Sequence, residues 1–253
     1  MIAPQGYNER LFAGKGLRFS YHVARYRWLA SEIQKLGISS PRMIELGCFD
    51  AKTLDFIAYT RPAYYLGLDA GWENGLQQGR EKWKNYSWVE LLQCASPAQI
   101  PDRGGFDIGI CMEALQCMDY ELNDAYLRRL GAICGTLFVT VPREHGLVFF
   151  AKHATKQMLY GAPRIRYTWR EVALLTIGRF DKVPRQEYKG FDERVLLRII
   201  SRYFTIEKIC GVFRSTTLPV QLSCTIGITA KSKACAPQLS PRGIAAKDCL
   251  NVA

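Results

Sequence analysis

The run Ile44-Glu45-Leu46-Gly47-Cys48-Phe49-Asp50-Ala51 sets a carboxylate, a glycine and a thiol at the end of a short apolar stretch. A glycine directly after a strand permits a sharp turn and close backbone approach to a ligand, and the helix that follows offers its amino end to negative charge. A pyrophosphate wants the G-x-G-x-x-G spacing, but here Phe49 and Ala51 stand where such a loop is tightest, so a ligand without a pyrophosphate is favoured. A second apolar run ends on Asp69, 22 residues after Gly47, close to the spacing at which a carboxylate meets ribose hydroxyls. The competing reading of Asp69 is a helix cap. Met112-Glu113 closes another run, and Glu113 reads either as a site carboxylate or as a partner of a helix dipole. His145 falls three residues beyond Pro142, and an imidazole with its ordinary pKa near 6.5 suits a general base at neutral pH. His22 and His153 are weaker candidates for that role. No D-x-D or histidine cluster argues for a metal.

These residues need a scaffold that brings strand ends together. Tyr21, Val23, Ala24, Tyr26, Trp28, Leu29 and Ile33 give a helix with a broad apolar face, stopped at Gly37. Strands are expected at 43–46, 64–68, 87–92, 106–111, 136–141, 205–211 and 222–230, and helices at 52–59, 72–83, 120–130 and 193–202. Regular βα alternation predicts an α/β fold with a mostly parallel sheet and helices on both faces, with ligands beyond the carboxyl ends of the strands. One domain over 1–230 is expected, with an N-terminal helical arm (1–40), a substrate-side insert (142–190) and a flexible tail (231–253).

Composition sets limits on the partners. Of 253 residues 48% are hydrophobic and 23% charged, which suits a globular chain and excludes collagen-like and disordered classes. No apolar run approaches the roughly 20 residues of a transmembrane segment. Residues 1–18 lack the apolar stretch of a secretion signal, so a cytoplasmic location is expected. Nine cysteines without a CxxC read as buried reduced thiols. The net charge of +11 fits an anionic partner, and residues 142–190 hold ten Lys or Arg against four Asp or Glu, +6 of that total.

Together these pieces resemble the class I S-adenosylmethionine-dependent methyltransferases over roughly residues 25–230. The resemblance rests on the E-x-G-C turn at Glu45 to Cys48, the acidic strand end at Asp69, Phe-Asp-x-x-x-Cys-x-Glu-x-Leu from Phe106 to Leu115, Val141-Pro142, and Gly-Phe-Asp from Gly190 leading into a helix and Tyr203-Phe204. It implies a Rossmann-like, seven-stranded, mostly parallel doubly wound sheet whose last strand is inserted antiparallel, with an N-terminal helix and a helical insert after strand five. It also implies S-adenosylmethionine as cofactor. Gly47 would meet the methionine part, Glu45 would support that turn, Asp69 would hold the ribose, and Cys94 and Ala95 would flank the adenine. Cys48, Phe49, Ala70 and Met112 complete the expected lining. Relatives often place an acid beside the adenine; residues 94–100 have none, so backbone groups would do that work.

For the acceptor, Arg143, His153, Arg164, Arg166 and Arg170 are the expected contacts, in an insert of interleaved aromatics and cations. His145 is the expected base and Glu113 the second catalytic candidate. O-methylation of an anionic small molecule or glycan is favoured over RNA methylation, because no separate RNA-binding module is visible and strand four lacks the Asn/Asp-Pro-Pro-aromatic signature. N-methylation, a non-catalytic cofactor-binding protein and a nicotinamide-dependent oxidoreductase stand as alternatives. The basic insert is also compatible with peripheral contact to anionic lipid.

Overall fold

A computed structural model describes residues 17–160, 167–186, 189–213 and 216–234. Eight strands form one sheet: β1 (Arg42–Leu46), β2 (Tyr64–Asp69), β3 (Val89–Gln93), β4 (Phe106–Met112), β5 (Cys134–Pro142), β6 (Phe204–Phe213), β7 (Thr216–Leu218) and β8 (Thr225–Ser232). Their order is β3-β2-β1-β4-β5-β8-β6-β7. Strands β1 to β5 pair in parallel, and β8 lies antiparallel between β5 and β6. Both Met43 and Ile44 are fully buried, as expected of a strand covered on its two faces.

Helices cover both faces. On one, α1 (Leu17–Leu36), the short α2 (Leu54–Ile57) and α3 (Gly75–Trp83) pack Trp28, Leu29, Ile33, Leu54 and Leu76 on Met43, Ile108, Ile110 and Phe138. On the other, α4 (Tyr120–Ile133) and α7 (Glu193–Tyr203) bury Tyr126, Leu127, Leu130, Leu196, Ile199 and Ile200 against Ile44, Leu46, Leu137 and Ile228. Between β5 and α7 lies the insert, built on α5 (Gly146–Tyr160) and α6 (Trp169–Thr176) with a core of Phe149, Val172, Leu175 and Val183.

Several elements differ from their sequence-based expectations. β7 adds an eighth, edge strand to the expected seven, paired antiparallel to β6. The last long strand starts at Thr225 rather than at 222, because residues Val220–Leu222 form a 3-10 turn after Pro219, and it runs through Ser232 into what was expected to be tail. The remainder of that tail, 235–253, lies outside the described residues. The helix expected over 52–59 contracts to Leu54–Ile57 and a 3-10 turn, ended by Arg61 in the left-handed region. The helix expected over 72–83 breaks at its start, where Glu73 and Asn74 have φ of 44° and 58°.

The turn after β1 brings three strand ends together. Gly47, at φ 75°, and Cys48 both donate their N–H groups to Leu68 O of β2, at 2.7 and 3.1 Å. A Cβ on Gly47 would overlap Ala114 Cβ, just past β4. Gly47→Ala therefore adds a left-handed penalty to a steric overlap, and an expected loss of about 2–4 kcal/mol should appear as a Tm lower by several degrees.

Candidate active site

Beneath the Gly47 turn, the Glu45 carboxylate is buried. Thr53 Oγ1 donates to Oε1 at 2.7 Å and the Tyr65 hydroxyl donates to Oε2. Burial pushes the Glu45 carboxyl up to about 7 against the pull of those two hydroxyls, and the Asp50 and Asp69 charges push the same way. Both carboxylate oxygens are engaged, so Glu45 braces the turn from below.

Asp69 closes β2 with its carboxylate turned to backbone. Oδ2 accepts from Phe49 N–H at 3.0 Å, and Oδ1 from Gly71 and Trp72 N–H at 2.8 and 3.4 Å. The turn of 71–72 is thus capped and the loop after Gly47 is tied to β2. In that loop Phe49 and Ala51 take φ of 52° and 56°, a region that ordinarily favours glycine. The Phe49 ring fills the space left by Gly75, where a Cβ would overlap it, and lies 6.0 Å from the Trp72 ring.

Cys48, Cys94 and Met112 turn their side chains into the interior. Burial raises the thiols of Cys48 and Cys94, and the Thr140 hydroxyl donates to Met112 Sδ at 3.8 Å. Ala70 is exposed, its carbonyl accepting from Gln93 Nε2 at 3.1 Å. The backbone donors expected to serve an adenine are engaged: Ser96 N–H donates to Gln99 Oε1 at 3.2 Å in the capping box of a 3-10 turn, and Ala95 N–H donates to the same oxygen at 2.7 Å.

At the end of β4, Glu113 sits at φ 56° and its N–H donates to Thr140 O at 3.0 Å. Only a one-turn 3-10 helix (Leu115–Cys117) follows, and the α-helix α4 begins seven residues later with Asp119 as its cap, so Glu113 does not sit in the first turn of an α-helix. Gln116 Nε2 donates to Glu113 O at 2.6 Å and to Oε2 at 3.3 Å, whereas Oε1 is buried without a hydrogen-bond partner. Burial raises the Glu113 carboxyl, and the Arg25 and Lys152 charges oppose that shift. Packing alone leaves this strained residue with an orphaned buried oxygen.

Two helices frame this carboxylate. Tyr21 of α1 shares a 2.7 Å hydrogen bond with Thr225 Oγ1, and Lys152 Nζ of α5 stands 5.5 Å above the Tyr21 ring. Lys152 retains exposed surface yet is ringed by charge: burial pulls its pKa down, but Tyr21, Cys224, Glu144 and Glu113 outweigh it and the net direction is up. Arg25 lies over the Tyr26 ring at 5.0 Å, and Tyr26 stacks on Phe56 at 4.9 Å.

His145 belongs to a second cluster. Its Nε2 bonds the Glu193 carboxylate at the start of α7, and its ring meets Phe180 edge-on at 5.6 Å. Arg143 Nε lies 3.7 Å from the same Glu193 oxygen, and its Nη1 donates to Gln221 O at 3.3 Å. Glu193 is buried with Oε2 unpartnered. No hydrogen bond among the described residues joins His145 to Glu113. Sequence reasoning missed Glu193; the visible signal was a second acid beside the Asp192 cap, one more than a helix start requires.

The remaining acceptor-side residues divide. His153 is buried among aromatic rings, 5.2 Å from Trp169 and 6.3 Å from Tyr167, and burial with the Lys156 charge lowers its pKa. The Tyr167 hydroxyl donates to Glu144, whose carboxyl burial raises. Arg170 is exposed on α6. Arg164 and Arg166 lie outside the described residues. Part of the insert's positive charge is structural: Lys189 pairs with Glu171 at 2.7 Å, and Arg185 donates to Gln116 O and Met118 O.

No family model and no curated sequence matches this chain. Solved structures do. Magnesium protoporphyrin IX methyltransferase (ChlM) from Synechocystis PCC 6803, with bound SAH, is 15% identical over 89% of this chain and 92% of its own, at a TM-score of 0.59. The methyltransferase domain of bacterial CtHen1 is 14% identical over 82% of this chain and 97% of its own, at 0.56. A TehB-like SAM-dependent methyltransferase from Corynebacterium glutamicum is 12% identical over 89% and 93%, at 0.56. The fold is that of the class I S-adenosylmethionine-dependent methyltransferases. Within it, β7 is an edge addition and the insert follows β5.

Glu45 yields a pH-dependent expectation for this methyltransferase fold. Its folded pKa lies above the unfolded carboxylate value, so the folded state binds more protons between about 4.5 and 7 and stability falls as pH rises through that window. Glu45→Gln keeps an acceptor for Thr53 and removes the ionisation. Relative to wild type, the variant should gain stability from pH 4.5 to 7, by up to about 3 kcal/mol, and then level off. Denaturant unfolding at a series of pH values measures it; a constant difference between the two proteins would contradict the buried, raised carboxyl.

Proposed function

We propose that this protein is an S-adenosylmethionine-dependent methyltransferase that methylates a hydroxyl of an anionic small molecule or glycan. The observation that carries the reading is Glu113: strained, half-buried, with one buried oxygen unpartnered, at the carboxyl end of β4 and adjoining the Ala114 contact of the Gly47 turn.

The residues at this rim fit that cofactor. Asp69 keeps acceptor capacity beyond its three backbone donors, as ribose hydroxyls require. The orphaned Glu113 Oε1 suits a positively charged group, which would offset its desolvation. Asp69 would hold the ribose, the Gly47 turn would approach the methionine part, and Glu45 would brace that turn. Gln99 occupies the backbone donors near the adenine position, so its exposed amide would face the base. When bound, S-adenosylmethionine supplies a methyl group on a positively charged sulfur, and the protein need only orient the acceptor, exclude water and take a proton.

Glu113 takes that proton at Oε1, its raised pKa bringing it nearer to neutrality than an exposed carboxylate. Lys152 and Arg170 attract the acceptor's negative charge. His145, oriented by Glu193, holds the acceptor from the α7 side. Lys152, over the Tyr21 ring, would cover the acceptor from the side of α1 and α5.

Calorimetry with S-adenosylhomocysteine tests the cofactor half. Asp69→Ala should weaken binding about ten- to a hundredfold, about 1.5 to 3 kcal/mol, with a parallel Tm to separate loop disruption from ligand contact. Unchanged affinity would leave Asp69 as a cap alone.

Turnover of labelled S-adenosylmethionine over a panel of acceptors tests the chemistry. With the acceptor so found, Glu113→Gln should lower kcat by about 10²–10⁴ while S-adenosylhomocysteine still binds. The base must be ionised to act, so wild-type kcat should fall as pH drops through the raised Glu113 pKa, and that limb should vanish in the variant. His145→Gln should act mainly on acceptor KM. A kcat collapse in His145→Gln with Glu113→Gln spared would move the base to His145.

A further inference from the structure

The insert has a face that none of the chemistry above uses. α5 turns Phe149 and His153 inward, while on its other side Leu147, Phe150 and Met158 stand 79%, 42% and 86% exposed. At 3.6 residues per turn, positions 147, 150, 151, 154 and 158 share one stripe about 100° wide, and with Ala151 and Ala154 between the larger side chains no polar residue interrupts it. α6 repeats the pattern. It buries Val172 and Leu175 and leaves Trp169 50% exposed, Ala173 exposed and Ile177, at its C-terminal end, 73% exposed, one turn apart. The Phe150 and Trp169 rings meet at 6.1 Å, so the two stripes are continuous. Isolated exposed apolar residues are ordinary on a protein surface; a continuous stripe over two helices is not.

Charge identifies what covers it. From Gly146 to Ile177 the sequence carries Lys152, Lys156, Arg164, Arg166 and Arg170 against a single acid, Glu171, which is paired with Lys189 at 2.7 Å. Two copies meeting through this segment would bring like charges together, whereas an apolar stripe within a strongly basic segment matches the boundary between acyl chains and anionic headgroups. We propose that the outer face of α5 and α6 docks this protein on an anionic lipid bilayer. No helix among the described residues is long and apolar enough to cross a membrane, so the contact is interfacial. The inference is independent of the methyl-transfer reading.

Co-sedimentation of the full chain with vesicles tests it. The protein should bind vesicles of phosphatidylcholine mixed with phosphatidylglycerol, and about tenfold or more weakly to phosphatidylcholine alone, with added salt narrowing the gap. Leu147→Glu, Met158→Glu and Ile177→Glu combined alter only exposed positions, so Tm and far-UV circular dichroism should hold while vesicle binding falls at least about tenfold. The proposal is overturned if wild type ignores the anionic vesicles, binds both compositions alike, or binds as well with the triple variant as without it. It is also overturned if light scattering finds a dimer that the triple variant separates while no vesicle binding occurs, which would make the face a self-interface.

Discussion

A carboxylate buried under a turn is the constraint on which the rim depends. Glu45 sits where β1 ends, and its two oxygens accept from Thr53 in the loop and Tyr65 in β2, joining the strand, the loop after it and the neighbouring strand through one group. Burying a carboxyl is costly unless its oxygens are satisfied, and here satisfaction comes only when the loop and β2 are both in register. Gly47 then has no freedom: its N–H goes to Leu68 O, and Ala114 closes the space a side chain would need. The ends of β1, β2 and β4 are therefore fixed relative to one another by the fold itself.

Strain accumulates in the same place. Phe49, Ala51 and Glu113 are non-glycine residues at positive φ, each at the carboxyl edge of the sheet. A conformation costing on the order of 1–3 kcal/mol per residue persists only where the surroundings enforce it. For Phe49 the enforcement is its ring against Gly75 and its N–H on Asp69; for Glu113 it is the N–H bond to Thr140 O and the clamp of Gln116. Packing accounts for the first, since the ring fills its space. It does not account for the second, whose carboxylate is left with an unpartnered oxygen.

Strands β1, β2, β4 and β5 were legible in the sequence because central parallel strands, buried on two faces, appear as mostly apolar runs ending in turns. The positions of Gly47, Asp69 and Glu113 at the ends of β1, β2 and β4 were legible for the same reason. What sequence could not reveal depends on distant chain segments. Glu193 meets His145 across 48 residues, and Gln99 takes the N–H groups of Ala95 and Ser96 through a capping turn masked by its proline. The break at Glu73 and Asn74 lies beside Gly75, against which the distant Phe49 ring packs, and an amphipathic pattern read along the chain ran straight through it. β7 is three residues at a sheet edge, too short for any periodicity to register.

The central claim is that the rim formed by Gly47, Asp69 and Glu113 is a cofactor site. A crystal structure of the protein with S-adenosylhomocysteine tests it most directly. The account predicts ribose hydroxyls on the Asp69 carboxylate, the amino-acid moiety against the Gly47 turn, and the sulfur facing Glu113. A ligand bound elsewhere, or none bound at saturating concentration, would contradict it.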